Sequence, residues 1–392
     1  MRALRTMFSR GDRTILGRWF WTIDRPLLGM VLLLMGIGLI AVAAASPAAS
    51  QRLSGANYTY ADLYFLKRQV IWVAIGLPVL IAVSMLPKLW TRRLALLGTA
   101  GGLAALAALP FLGDEGTNGA VRWIIIGGSQ VQPSELLKPM FIVTTAWLLA
   151  FRFDDPKVPA IPASGLLLVL IVALLMIQPD LGQTVLVSSI WVAQAFIAGL
   201  SATLLAILIA IGAVGILMAY LFVPHVTSRI DRFITGEGDN FQAERSIDAI
   251  RSGGLFGTGP GEGQAKFSLP EPHTDYIFAV IGEEFGMIAC LFVAILFLAI
   301  VVRVITQLFD EDDPFVTVAA AGLAAQIGLQ AFINMIVALD LLPSKGMTLP
   351  FISHGGSSFL ALCIGTGMLL SLTRRSRFLT RAAEPEMRLG AT

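Results

Sequence analysis

Asp275 stands where two unlike stretches meet. From Arg251 the chain runs through a glycine-rich polar segment, SGGLFGTGPGEGQAKFSLPEPHT, and from Tyr276 it becomes apolar. A carboxylate at the point where an irregular loop turns into a membrane helix is half out of water and close to lipid headgroups, a setting suited to catalysis. Thr274 or Asp275 could equally cap the helix, accepting bonds from its first free N–H groups. The stretch alone leaves both readings open.

Two further polar sets interrupt the apolar background. In QPSELLKP, Gln132 to Pro139, Glu135 and Lys138 are three residues apart and share one helical face. A charge near the hydrocarbon costs roughly 2.5–3.5 kcal/mol at a helix centre, so such residues pair or line a wet cavity. Both an orienting ion pair and a substrate cavity remain open, and Arg122 and Trp123 just upstream add a cation and an interfacial anchor. In LPSKGMTLPFISHGGSS, Leu342 to Ser358, prolines and glycines forbid a simple helix and suggest a hairpin folded inward. Ser353, His354, Ser357 and Ser358 have the residue types of a nucleophile and base, but no G-x-S-x-G elbow accompanies them, which argues against hydrolysis. Glu283 and Glu284, two turns beyond Asp275, fit a proton relay or a structural bond to a neighbouring helix.

The elements that must hold these residues are membrane helices. Of 392 residues 56% are hydrophobic and 14% charged, more apolar surface than a soluble domain can hide. The expected fold is all-α and polytopic, with about ten spans of roughly 16 residues or more. They lie near 27–45, 69–86, 94–112, 135–151, 161–177, 182–199, 202–223, 276–303, 315–339 and 356–373. A basic tail, 1–26, precedes the membrane domain, 27–373, and a second tail follows at 374–392. The first apolar run has no convincing cleavage site and reads as a retained helix. Arginine is dense in both tails (Arg2, Arg5, Arg10, Arg13, Arg18, Arg25; Arg374, Arg375, Arg377, Arg381), which places both termini in the cytoplasm. The long loop 224–275 and the loops carrying the other polar sets then open outward.

Several classes drop out. Cys290 and Cys363 fall inside apolar segments, so neither a disulfide nor a zinc site is indicated. The glycines between Gly253 and Gly263 lack a following GK[ST], which argues against nucleotide use. They suit unusual backbone angles in a loop lying against the membrane, or a flexible spacer. Nothing points to nucleic acid.

The three motifs, in this order and on this helix count, resemble the SEDS family of cell-shape and division proteins over residues 27–375. LPSKGMTLPFIS and QAERSIDAIRSGG (Gln242 to Gly254) are more similar to its division branch than to its elongation branch. His354 departs from the tyrosine of many relatives. The resemblance implies a peptidoglycan glycosyltransferase that polymerises lipid II on the outer face of the cytoplasmic membrane at the division septum. The alternatives are a lipid II flippase or an elongation-type polymerase. It implies Asp275 as general base on the acceptor hydroxyl, and Glu135 and Lys138 as cavity-lining residues. Lys138, then Arg245 or Arg251, would face the developing pyrophosphate charge. Arg122, His273, Thr274, Lys345, Ser353 and Ser357 complete the candidate substrate-binding set. No metal ligands are assigned, although a divalent cation, magnesium or manganese, could share the charge. The implied partners are the growing lipid-linked glycan, a class B penicillin-binding transpeptidase, other division proteins and membrane lipids.

Overall fold

A computed structural model describes residues 15–54, 59–115, 121–126, 129–223, 226–228, 231, 241–343 and 346–374. A short helix, α1 (Ile15–Thr22), leads to α2 (Arg25–Leu53), α3 (Tyr64–Ser84) and α4 (Lys88–Leu112). Three short strands follow, β1 (Asp114–Glu115), β2 (Val121–Ile126) and β3 (Ser129–Val131). Then come α5 (Pro133–Asp154), α6 (Ala160–Ile177), α7 (Leu181–Ile197), α8 (Ala202–Phe222) and α9 (Phe241–Gly253). A 3-10 turn, Ala265–Ser268, precedes α10 (Ile277–Leu308), α11 (Pro314–Ala338) and α12 (Gly356–Leu372).

All ten expected spans are helices, eight of them long and apolar enough to cross a membrane and two shorter, α7 and α12. Local chemistry sets several starts. Asp24 accepts from the Leu27 N–H at 3.3 Å with Pro26 in the first turn of α2, and Asp313 accepts from the Phe315 N–H at 3.0 Å ahead of Pro314. Asp180 and Ser201 cap α7 and α8 in the same way. The first span runs on to Leu53, past the expected 45, because Ala45, Ser46, Ala48, Ala49 and Ser50 are small enough to bury against neighbours. Helix α12 packs along α3, α4 along α5, and α11 against α5, α7 and α10, so α5 and α11 form the centre. By contrast α8 meets the rest of the bundle chiefly along α7, and Ala219 is its one buried residue.

The expected span at 276–303 is a helix with a break. Gly286 takes φ 80° and ψ 177°. Cys290 Sγ lies 3.8 Å from the Phe278 carbonyl oxygen, and a Cβ on Gly282 would stand 3.4 Å from that sulfur. Twelve residues of straight helix would separate 278 and 290 by about 18 Å. The chain therefore folds back: a short limb, 277–285, climbs to a crest at Gly286, and a longer limb, 287–308, crosses the bilayer.

The glycine-rich segment is the plaster in this break. It is a packed wrap, not a spacer. The Thr258 and Gly259 N–H groups donate to the Glu283 and Glu284 carbonyls at 2.9 and 3.1 Å, and the Met287 N–H donates to the Gly254 carbonyl at 3.0 Å. Backbones approach so closely that a Cβ on Gly257, itself at φ 87°, would fall 2.1 Å from the Glu284 oxygen. Helix α9 holds the wrap from behind, burying Ser246, Ala249, Ile250 and Gly253 at helical spacing, with the Ser246 hydroxyl donating to the Ala338 carbonyl.

At the opposite end of the bundle the connections are short. There Arg303 donates to both oxygens of Asp24 at 3.0 and 3.2 Å, and Lys88 meets Asp313 at 3.1 Å.

Candidate functional site

The first turn of α5 carries the first charged set. Lys138 Nζ lies 2.8 Å from Glu135 Oε2, with side-chain exposures of 1% and 6%. Gln183 of α7 donates through Nε2 to Glu135 Oε1 at 2.6 Å, and Lys138 donates to Gln330 Oε1 of α11 at 3.4 Å. Needs remain unmet around this pair. Ser134 Oγ and Gln183 Oε1 make no hydrogen bond among the described residues, and Glu135 Oε2 meets the ammonium by charge without hydrogen-bond alignment. Ser134, Lys138 and Gln183 border a small, mostly apolar void with room for about one water molecule. Leu137 and Phe141 of α5, Ile171 and Leu175 of α6, and Val187 of α7 wall it.

A turn between α6 and α7 closes the end of this region. Asp180 accepts from the Gln183 N–H at 3.2 Å and from Gln132 Nε2 at 3.4 Å. Burial pushes its carboxyl above the usual range, and the nearby Arg122 guanidinium pulls the other way. Arg122, on β2, spends its donors on the Gln178 and Pro179 carbonyls at 3.0 and 2.5 Å.

Asp275 is held by its backbone. Three successive carbonyls, those of His273, Thr274 and Asp275, accept from the His354 N–H at 2.8 Å, Ser353 Oγ at 2.7 Å and Asn334 Nδ2 at 2.9 Å. The donors come from the loop 339–355 and from α11. That loop is folded inward as its sequence suggested, burying Met347, Leu349, Phe351 and Ile352. Ser353 also receives the Leu349 N–H at 2.8 Å, so one hydroxyl ties two turns together. Glu271 (φ 51°) and Phe351 (φ 64°) sit in the left-handed region on either side of the clamp, strain of roughly 1–3 kcal/mol each that only firm packing sustains. The N-cap of α10 is Tyr276, without a side-chain cap bond. Neither Thr274 nor Asp275 is therefore that helix's N-cap residue. The half-buried Asp275 carboxylate instead faces Gly346, whose Cβ, were there one, would stand 3.6 Å from Oδ2.

The histidines pack beside it. The His273 ring lies 4.0 Å from Phe65 and 5.6 Å from His354, and His354 Nδ1 is 3.0 Å from Gln69 Oε1. Burial, and then the neighbouring His354, lowers the pKa of His273 to about 3. Burial, and then Arg68, lowers that of His354 to about 4. Both are neutral at ordinary pH.

Helix α11 joins the two sets. Gln330 receives Lys138 on its oxygen and donates through Nε2 to the Thr348 carbonyl at 3.0 Å. One turn on, Asn334 Nδ2 donates to the Asp275 and Met347 carbonyls at 2.9 and 2.6 Å. The face of α11 that braces the ion pair thus also braces Asp275.

Of the residues singled out from sequence, Glu135, Lys138, His273, Thr274, Asp275, Ser353 and Ser357 gather at this end, where Ser357 Oγ accepts the Gln132 N–H at 3.2 Å. Arg122 lies there too, turned to the α6–α7 turn. Arg245 and Arg251 project from the exposed face of α9, away from the buried groups. Lys345 lies outside the described residues. Asp180, Gln183, Gln330 and Asn334 were missed, although Gln330 and Asn334 had a signal: two amides four apart in an apolar helix. Glu283 and Glu284 make structural bonds, but to the glycine-rich wrap and not to a neighbouring membrane helix. Glu283 accepts from the Ala265 and Lys266 N–H groups at 2.6 and 2.8 Å, and Glu284 pairs with Lys266.

Comparison with known proteins agrees with this geometry. A chain in a structure described as "Structural coordination of polymerization and crosslinking by a peptidoglycan synthase complex" superposes with a TM-score of 0.74, at 24% identity, covering 90% of this chain and 97% of that one. At that identity the likeness shows the fold. The crystal structure of the Thermus thermophilus rod shape determining protein RodA gives a TM-score of 0.65 at 26% identity, over 90% and 96% of the two chains. A probable peptidoglycan glycosyltransferase FtsW of Caulobacter vibrioides is 41% identical, covering 94% of this chain and 93% of its own length. The protein of the same description from Nitrosomonas europaea is 34% identical over 92% and 95%. The family model described as cell cycle protein, FtsW/RodA/SpoVE, matches residues 25–378, which take in every helix from α2 to α12 and both halves of the clamp on Asp275. A multi-pass membrane bundle of this topology, matched end to end by that model, belongs to the FtsW/RodA/SpoVE family.

Proposed function

We propose that this chain is a peptidoglycan glycosyltransferase, as the names of its relatives suggest, and that it polymerises lipid II on the outer face of the cytoplasmic membrane. The observation that carries the reading is the triple carbonyl clamp. It holds the backbone at Asp275 through three successive carbonyls and sets its half-buried carboxylate beside Gly346. A general base needs such a fixed position.

In the reaction, the Asp275 carboxylate takes the proton of the acceptor sugar hydroxyl as that oxygen bonds to the donor's anomeric carbon. The bond from that carbon to the pyrophosphate oxygen breaks, and lipid pyrophosphate leaves with the electron pair. Asp275 ends protonated and returns its proton to water. Lys138 supplies positive charge on the Gln330 side of the site, and its pairing with Glu135 keeps it oriented until a more negative group arrives. Among the described residues no three acid, histidine or cysteine side chains converge. A magnesium or manganese ion sharing the pyrophosphate charge would rest on the pyrophosphate oxygens, water and at most one or two of these carboxylates.

The arginine-rich tails put the termini in the cytoplasm and this end of the bundle outside. The fold neighbour in a polymerising and crosslinking complex supports a crosslinking partner, which we assign to a class B penicillin-binding transpeptidase, and the FtsW names support a place at the septum with other division proteins.

The test is lipid II polymerisation by purified protein. Asp275→Asn leaves size and backbone bonds intact, and the rate falls by about 10²–10⁴ with the protein still monodisperse. Asp275→Glu restores little, since a shift of about an ångström matters at this step. A folded Asp275→Asn protein polymerising at full rate ends the assignment. If the same variant also translocates lipid II normally, the flippase alternative takes its place.

A further inference from the structure

The crest of α10 carries two apolar side chains that none of the described residues covers. Leu255 is 61% exposed and Phe256 81%. Their position is fixed, because the Met287 N–H donates to the Gly254 carbonyl at 3.0 Å, the Ile288 N–H to the Leu255 carbonyl at 3.3 Å, and the Gly257 N–H to the Gly253 carbonyl at 2.8 Å. The pair is thus pinned beside the first residues of the long limb. From there an apolar exposed stripe continues down that limb through Ile288, Leu291, Ile295 and Leu298, exposed by 52%, 60%, 53% and 62%.

Length sets the depth. The long limb, 287–308, has about 22 residues and rises about 33 Å, against a hydrocarbon core of about 30 Å. Its upper end, and therefore Leu255 and Phe256, falls at the boundary between acyl chains and headgroups. The stripe below them is the surface that meets acyl chains, and the pair extends it without interruption.

We propose that Leu255 and Phe256 form a membrane anchor, inserted into the acyl boundary of the leaflet at that end of the bundle. The partner is the lipid surface itself. The anchor pins to the bilayer the wrap that fills the break in α10, and so fixes the height of the short limb whose foot is Asp275. This holds whatever reaction the site performs.

The experiment is nitroxide accessibility in the full-length protein reconstituted alone into phosphatidylglycerol/phosphatidylethanolamine vesicles. Phe256→Cys and Leu255→Cys are labelled separately, with Glu262→Cys on the exposed part of the same wrap as reference. Cys290 and Cys363 are buried, and the unsubstituted protein serves as blank. The expected result is an oxygen-to-nickel-chelate accessibility ratio several-fold higher at 255 and 256 than at 262. Nickel accessibility at 256 equal to that at 262 places the pair in water and overturns the proposal. Low accessibility to both reagents shows cover by protein, such as a second copy, and overturns it too.

Discussion

Among the described residues two buried acid–lysine pairs differ in one respect. In the wrap around the α10 break, Lys266 and Glu284 are 1% and 0% exposed. Every carboxylate oxygen there has a partner: Glu284 takes Lys266 and the Gly261 N–H, and Glu283 takes the Ala265 and Lys266 N–H groups. At the head of α5, Glu135 and Lys138 are also buried, yet Ser134 and Gln183 beside them keep polar atoms without a hydrogen bond among the described residues, next to a void the size of about one water molecule. A satisfied pair has nothing left to offer a ligand. An unsatisfied one costs stability unless something arrives to complete it. Burial of charge is therefore a poor marker of a working site, and unmet hydrogen-bonding capacity is a better one.

The largest effect expected from this contrast is structural. Lys266→Met strands Glu284 without its cation and costs about 3–5 kcal/mol. Thermal unfolding in detergent reads this as a lowered midpoint, with the folded fraction still polymerising. Unchanged stability with lost activity would reverse the roles of the two pairs.

Next comes the paired substitution Glu135→Leu with Lys138→Met. Removing both charges at once avoids an unpaired charge, so the stability cost is confined to the hydrogen bonds lost by Gln183 and Gln330, roughly 1–3 kcal/mol each. Polymerisation falls by about 10²–10³, the usual cost of losing a charge-stabilising group. A folded double variant with normal rate would make the α5 pair as structural as the other.

The smallest effect extends the contrast to neutral groups. Free imidazoles titrate near 6.5, whereas in the folded protein His273 and His354 titrate at about 3 and about 4. Between those values and 6.5 the unfolded chain binds more protons, so stability is complete above pH 6.5 and declines as pH falls. Moving from pH 6.5 to 5 costs about 2 kcal/mol per imidazole. His354→Tyr removes its share, and unfolding midpoints of both proteins across pH 5–8 check the difference. A parent whose midpoint is flat over that range would mean the rings are not buried as neutral groups.

These contrasts also mark where the sequence could be read. Membrane helices announce themselves by hydropathy, and all ten were legible. The fold-back was not, because hydropathy is blind to direction. From Ile277 the chain is apolar in both directions apart from Glu283 and Glu284, and only these and Gly286 hint at the turn. Asp275 was legible as a junction, but its clamp was not, since backbone carbonyls carry no letter in a sequence. Glu283 and Glu284 were legible as needing partners. Those partners are mainly N–H groups and one lysine in a glycine-rich run, where neither spacing nor residue type points back to them. The short strands, α1 and α9 were missed for a related reason: short amphipathic elements at an interface have too few residues to show a period.

The break at Gly286 has a bearing on how the protein is made. The partners of Glu283 and Glu284 lie 17 to 25 residues upstream, at Thr258, Gly261, Ala265 and Lys266. They have already left the ribosome when the glutamates emerge, so the folded-back unit can close on itself as it is synthesised. The clamp on Asp275 waits on Asn334, Ser353 and His354, which are translated up to 79 residues later. Nascent chains halted after α10 should therefore shelter their glutamates while leaving Asp275 loose. Asp275 reaches its clamped position only when the last helices arrive.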